Sequence, residues 1–228
     1  MRRDDKFRDI WETSYSNELG RLCQGIGKGP KGPKQQRVEG TDTYRLIHFS
    51  DIPQDRRKEI CFSRVVCEVR PQKEDPNRTR ITIAGNRIIF PGEVATPTAS
   101  LELIKLLINS VLSRPSAKFC CFDVKNFYLG TPMERHEYVK IKLTDIPQEF
   151  VDEYNLHAFA YNGWVYFEVI KGCYGLPQSG KLANDLLRTR LNKAGYYEAT
   201  TTPGLWKHKW RPILFLINVL PTALLRRH

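Results

Sequence analysis

With 41% apolar and 11% aromatic residues, this 228-residue chain is too rich in core-forming side chains to be disordered, and it is long enough to bury a core as one compact unit or two small lobes. Thirty-six Lys and Arg against 25 Asp and Glu give a net charge of +11 and a pI near 9.4, which points toward polyanionic partners, nucleic acid first, rather than acidic-surface chemistry. The six cysteines include no Cys-x-x-Cys pair of the zinc or redox kind, so they read as core thiols in a reducing compartment. Met1-Arg2-Arg3-Asp4-Asp5 runs into more charge rather than into the apolar stretch of a secretion signal, and the apolar run Ile213 to Leu225 is too short, and too interrupted by Pro221, to span a membrane. The expectation is an intracellular protein, cytoplasmic or nuclear.

Phe7, Ile10, Trp11, Leu19 and Leu22 fall largely on one helical face and predict an amphipathic helix over residues 1–24. A basic Gly/Pro/Lys linker follows at 25–42; its Gly27-Lys28 pair lacks the spacing and the Ser or Thr of a phosphate loop. Residues 43–116 form a first lobe. Within it the β-branched run Cys61 to Arg70 reads as a strand, and Arg80 to Phe90 reads as two short strands around Gly85-Asn86. A helix with Thr96 as cap and Pro97 in its first turn then carries Leu101, Ile104, Ile108, Val111 and Leu112 as a stripe to cover the sheet. Residues 117–217 form a second lobe. It holds strands at Phe119 to Val124, Tyr138 to Leu143 and Trp164 to Ile170, the last entered through an Asn162-Gly163 turn. A helix from about Ser179 to Ala194 stops at Gly195, and a final strand covers Arg211 to Ile217. Residues 218–228 make an irregular tail. Strands and helices mix without regular β-α alternation, so the fold class is α+β.

Three clusters carry chemistry. Asp123 ends an apolar strand with an aromatic residue five positions later, and a carboxylate there needs a turn to cap, a cation or a metal. Lys171 to Gly180 is a glycine-punctuated loop opening into a helix, a place where backbone amides favour an anion. Lys73 to Arg80 is a charged hairpin tip. Singly, each has an ordinary reading: a turn-capping Asp, a proline-containing helix start, solvated charge.

In this order, the three clusters resemble the nucleotide site of reverse transcriptases, and over roughly Phe7 to Ile217 the chain is most similar to copia-type retrotransposon polyproteins. Asp9 to Leu22 looks like the family's Trp-bearing helix. Thr43-Tyr44-Arg45-Leu46-Ile47 resembles its Trp-x-Leu-Val strand, and Arg80-Ile81-Thr82-Ile83-Ala84-Gly85 its Arg-Leu-Val-Ala-Arg-Gly strand. Asp123-Val124-Lys125-Asn126-Phe127-Tyr128-Leu129-Gly130 is similar to Asp-Val-Lys-x-Ala-Phe-Leu-x-Gly, and Cys173-Tyr174-Gly175-Leu176-Pro177-Gln178 to Leu-Tyr-Gly-Leu-x-Gln. These last two motifs are the specific ones.

The resemblance implies a partial right-hand polymerase, fingers over 43–116 and an incomplete palm with antiparallel sheet over 117–217. It implies an RNA template with a DNA primer and a deoxynucleoside triphosphate as partners, and Mg2+ as cofactor. Asp123 then corresponds to the catalytic metal ligand and the Val124 carbonyl to its neighbour. Tyr128 is the aromatic that excludes a ribose 2'-hydroxyl, Gln178 contacts the incoming nucleotide, and Lys73 and Arg80 hold the triphosphate. The family continues past its next strand to two consecutive aspartates, whereas no Asp follows Asp185 here. Two-metal phosphoryl transfer needs several carboxylates around ions about 4 Å apart. The expectation is a truncated fragment, inactive alone; a non-catalytic basic binding module and an enzyme completed in trans by another chain stay open, as does self-association through an uncovered palm edge. The reading also expects Asp123 and Gln178 in one cleft, Tyr128 on its floor, the hairpin overhanging it, and the Arg211 to Ile217 strand antiparallel beside the strand of Asp123.

Overall fold

In the computed structural model of the chain, residues 7–27, 37–73, 76–96, 99–118 and 123–215 are described. They fall into two compact units, one of residues up to 93 together with 126–179, the other of 94–125 and 180 onward.

In the first unit, helix α1 (Arg8–Leu22) buries Trp11, Tyr15, Leu19 and Leu22, a stripe with i, i+4 and i+3 steps, while the expected inward residues Phe7 and Ile10 are 41% and 44% exposed. Burial of each large apolar side chain contributes about 1.5–3 kcal/mol. Strand β1 (Tyr44–Ile47) begins directly after the segment that pairs with the helix end, through Thr43 N to Leu22 O at 2.8 Å. Strands β2 (Cys61–Val69) and β3 (Asn77–Ile83) form an antiparallel hairpin whose turn is closed by Arg70 N donating to Pro76 O at 2.7 Å. Along β3, Thr79, Ile81 and Ile83 are buried while Arg78, Arg80 and Thr82 are half-exposed, the period-2 pattern of a half-buried strand. Ser14 Oγ ties α1 to this strand, donating to Asn77 O and accepting from Thr79 N, both at 2.9 Å.

The expected second strand after Gly85 does not form. Residues Gly85–Arg87 make a single 3-10 turn, and Gly85 lies so close to the loop at Gly175 that an added Cβ would come within 2.4 Å of that carbonyl.

Strand β4 (Pro132–Lys142) is longer than the Tyr138 to Leu143 expectation, with a register shift between Pro132 and Glu137. A short helix α3 (Gln148–Glu153) buries Phe150 and Val151 before strand β5 (Trp164–Lys171). Asn162 and Gly163, at φ 50° and 77°, make the turn into β5, as their dipeptide predicts. The sheet order is β1-β5-β4-β2-β3, antiparallel throughout except for β2 beside β4, which are parallel over two residue pairs, Cys61 with Val139 and Phe62 with Lys140. Val139, Val165, Phe167 and Val169 are fully buried at its centre. The class is therefore α+β with a mixed sheet.

In the second unit, helix α2 (Leu101–Leu112) starts at Ser100, whose side chain accepts from Leu103 N at 3.3 Å, rather than at Thr96-Pro97. None of its residues is buried, so the covering role expected for its apolar stripe is not seen; Leu101, Leu106 and Leu112 are 59%, 63% and 79% exposed. Helix α4 (Ser179–Lys193) ends where predicted, with Gly195 at φ 86°. Strands β6 (Tyr197–Glu198), β7 (Leu205–Lys207) and β8 (Leu214–Phe215) form a separate antiparallel sheet, β7 in the middle. The final strand thus pairs with β7, because the turn through Thr202 and Gly204 folds Leu205 back onto Tyr197 and Glu198 and makes β7 its nearest free edge. It does not pair with a strand bearing Asp123: Asp123 and Val124 are coil, and Phe119 to Phe122 lie outside the described residues, as does the tail 216–228.

The loop between β5 and α4 is docked on the end of β3 by Ile83 N donating to Tyr174 O at 2.8 Å. Gly175 sits there at φ 94°, with an added Cβ only 2.0 Å from Ile83 O. Gly175→Ala combines a left-handed strain with a backbone clash, so it is expected to lower stability by about 2 kcal/mol or more. Thermal unfolding followed by circular dichroism measures this; an unchanged melting temperature would mean that the loop docks differently.

Candidate nucleotide and nucleic-acid site

The β2–β3 hairpin concentrates positive charge. Lys73 stands exposed in the turn, its backbone N donating to Arg70 O at 3.0 Å. Arg80 lies opposite Val66, three residues along β3 from Asn77, so the two predicted triphosphate residues share one hairpin at different heights, roughly 10 Å apart along the strand. Two further arginines join them. Burial lowers the Arg78 pKa, and the charges of Arg80 and Arg70 push it down further, with Glu18 opposing. The Nε atoms of Arg70 and Arg80 are buried without a hydrogen-bond partner. The sequence places Arg78 in the charged hairpin tip without giving it a phosphate role and leaves Arg70 out; Arg78 and Arg80 at i, i+2 of a strand share a face, and the hairpin turn brings Arg70 back beside them.

The loop from Lys171 to Gly180 is built by its small residues. Gly172 N donates to Thr131 O at 2.8 Å, and a Cβ on Gly172 would meet Tyr128 O at 2.8 Å. Ser179 Oγ accepts from Cys173 N and donates to Cys173 O, both at 2.9 Å, closing the loop on itself. These contacts bring Tyr128 against the loop, its ring edge-to-face with Tyr174 at 5.4 Å between centroids. Tyr128 is 7% exposed, and burial, then Tyr174, raises its pKa. Asn126, at φ 56°, starts the turn leading to Tyr128 and accepts from Arg21 Nη1 at 2.9 Å.

Gln178 is fully buried. Its Nε2 donates to Glu137 Oε1 at 2.9 Å, while its own Oε1 finds no partner. Glu137 is the centre of a network that sequence reading missed: Arg56 Nη2 reaches Oε2 and Arg135 Nη1 reaches Oε1, each at 2.6 Å, and Glu59 binds both arginines from the other side. The signal was present. Glu137 occupies the inward series Met133, Glu137, Val139, Ile141 of β4, where a carboxylate requires buried cations. Burial raises its pKa more than Arg135, Arg56 and Gln178 lower it.

Asp123 and Val124 belong to the second unit, both exposed, whereas Lys73, Arg80, Tyr128 and Gln178 belong to the first. Among the described residues no three His, Cys, Asp or Glu side chains come together to hold a metal ion. A lone exposed carboxylate in coil does not fit the Mg2+ site that the resemblance implies. Asp185, on α4, pairs with Lys181 at 2.5 Å. No described helix is long and apolar enough to cross a membrane.

Comparison of the chain with family models, with curated proteins and with solved structures finds no match.

Removing the Glu137 side chain leaves two half-buried guanidinium groups sharing Glu59 and takes away the partner of Gln178. Glu137→Ala is therefore expected to cost about 3 kcal/mol, or roughly 6–12 °C in melting temperature, measured by thermal unfolding. Because the folded-state pKa of Glu137 is raised, its contribution is fully present below the unfolded-state pKa and is lost as pH rises through the folded one. Wild type should accordingly gain on Glu137→Gln as the solution is acidified, and a difference independent of pH would show that Glu137 titrates normally.

Proposed function

We propose that this chain is the fingers and partial palm of an RNA-directed DNA polymerase of the copia retrotransposon type, holding nucleotide and nucleic acid without catalysing nucleotide addition by itself. The observation that carries the reading is the docking of the glycine-punctuated loop on the base of the hairpin, through Ile83 N and Tyr174 O, roughly 10 Å along β3 from Arg80, because a triphosphate must reach from a sugar-facing aromatic to outer-phosphate cations. In this reading Lys73 and Arg80, with Arg70 and Arg78 beside them, bind the triphosphate. Tyr128 limits the sugar, and Gln178 supports the nucleotide from beneath through its bond to Glu137. Arg80 Nε makes no hydrogen bond, whereas Arg70 Nε lies 3.7 Å from Glu68 Oε2; charge-assisted bonds from such guanidinium groups to phosphate are each worth about 1.5–3 kcal/mol. The RNA template and DNA primer enter as the polyanions that the +11 charge attracts.

The carboxylate set limits the chemistry. Among the described residues Asp123 belongs to no group of three His, Cys, Asp or Glu side chains, and no step is assigned to a metal here. A basic nucleic-acid-binding module is the second reading; the same hairpin cations and net charge favour it, and it differs in requiring no polymerase ancestry.

Purified as these 228 residues, the protein is expected to extend no primer on an RNA template with magnesium or manganese. Extension that disappears in Asp123→Ala would overturn this and indicate carboxylates contributed by a second copy. Deoxynucleoside triphosphate binding, measured by calorimetry, should weaken about tenfold on Arg80→Ala and again on Arg70→Ala. Unaltered affinity in both would remove the hairpin from the site. Nucleic-acid affinity should fall steeply with added salt and vary little with sequence, whereas salt-independent binding would contradict a phosphate-based interaction.

A further inference from the structure

On the first unit, away from the hairpin turn, the sheet end and its flanking turns enclose a cavity of about 440 Å³, within the range of small-ligand sites. Its wall is made of aromatic rings and cations. Phe49 and Tyr161 stack in parallel, centroids 4.6 Å apart and planes within 3°. Trp164 lies across from them on β5, with Lys140 Nζ 4.6 Å above its ring. Arg57 stands over Phe49 at 4.5 Å, fixed by Nε donating to Ile52 O at 3.1 Å, and Arg87 stands over the neighbouring Phe62 at 5.2 Å.

The charge is uncompensated. No carboxylate lines this cavity among the described residues, and Arg57, Arg87 and Lys140 are absent from the ion pairs those residues form. Asp145 lines the adjoining cavity, which shares Lys140 and Trp164. Three cations held beside each other by rings and backbone carbonyls repel one another, and an anion entering the hollow relieves that repulsion. Tyr161 is 48% exposed, so the stack that it forms with Phe49 ends on a ring face open to a further planar group.

We propose that this cavity binds single-stranded nucleic acid, one base stacking on the Tyr161–Phe49 pair while the flanking phosphates meet Arg57, Arg87 and Lys140. An unpaired strand fits this chemistry and a duplex does not, because only unstacked bases offer a free π-face, whereas cations alone would accept any phosphate. The site shares the substrate class of the proposed function but uses none of the hairpin or loop residues.

The test is fluorescence anisotropy with a labelled oligothymidylate, the same strand annealed to its complement, and thymidine monophosphate as competitor. The proteins are wild type, Tyr161→Ala, Arg87→Glu and the hairpin variant Arg80→Ala, each checked for unaltered unfolding temperature. The expected result is that the single strand binds more tightly than the duplex, and that Tyr161→Ala and Arg87→Glu each weaken it about tenfold. Arg80→Ala should leave it intact while impairing triphosphate binding. Equal affinity of Tyr161→Ala and wild type for the strand would overturn the proposal, as would a preference for duplex. Full competition by the monophosphate at the concentration that saturates with oligonucleotide would also overturn it, in favour of a free-nucleotide site. Triphosphate binding that Arg80→Ala leaves unaltered, with the strand site behaving as expected, would instead count against the proposed function alone.

Discussion

A carboxylate at the centre of a sheet dictates much of what surrounds it. Glu137 points inward from β4, and desolvating it would be prohibitive without the two guanidinium groups that reach it at 2.6 Å. Arg56 comes from the turn before β2 and Arg135 from β4 itself, and both are held in place by Glu59. The remaining lone-pair direction on Oε1 is met by Gln178, which anchors the loop before α4. One buried charge thus ties together β4, the segment entering β2 and the loop that carries Tyr174 and Gln178. The geometry of the candidate site is set from beneath by this one buried carboxylate.

Above that base, two glycines decide how closely the parts approach. Gly172 lets the loop lie against the Tyr128 carbonyl, and Gly175 lets it lie against Ile83 at the end of the arginine-bearing hairpin. Backbone contacts at these two points fix the aromatic pair against the base of the hairpin, at the end of β3 away from the charged turn.

Much of this architecture could be read from residue patterns, and where the reading failed the reasons are physical. The Asn162-Gly163 turn, the stop at Gly195 and the hairpin around Lys73 rest on local backbone chemistry, which is legible in a short stretch. Arg80 to Phe90 looked like two strands because its apolar residues alternate, yet the docking of the Gly175 loop takes the edge position that a second strand would need. Phe7 and Ile10 matched a helical face by spacing, but the partner surface of β3 reaches only as far as Trp11 and Ser14. Glu137 stands out locally as a carboxylate in the inward series of β4, but its partners Arg56, Glu59 and Gln178 lie far along the chain, and Arg70 is brought beside Arg78 only across the hairpin. The aromatic cavity draws on turns and strands from Phe49 to Trp164, and Asp123, the residue that motif likeness made most prominent, sits in exposed coil.

The hairpin joins the rest of its sheet through just two rungs of parallel pairing, Cys61 with Val139 and Phe62 with Lys140. Mechanically this is a flexure carrying a cantilever: the seven residues of β2 beyond Phe62 project roughly 23 Å, so a tilt of about 10° at the joint would carry the tip some 4 Å. What restrains that swing is a stay rather than a thicker hinge, the single hydroxyl of Ser14 bonded to both Asn77 and Thr79 far out along the arm. The charged arm is thus tied to α1, which also sets the Glu18 carboxylate against Arg78, and removing one oxygen atom at Ser14 removes both of these bonds.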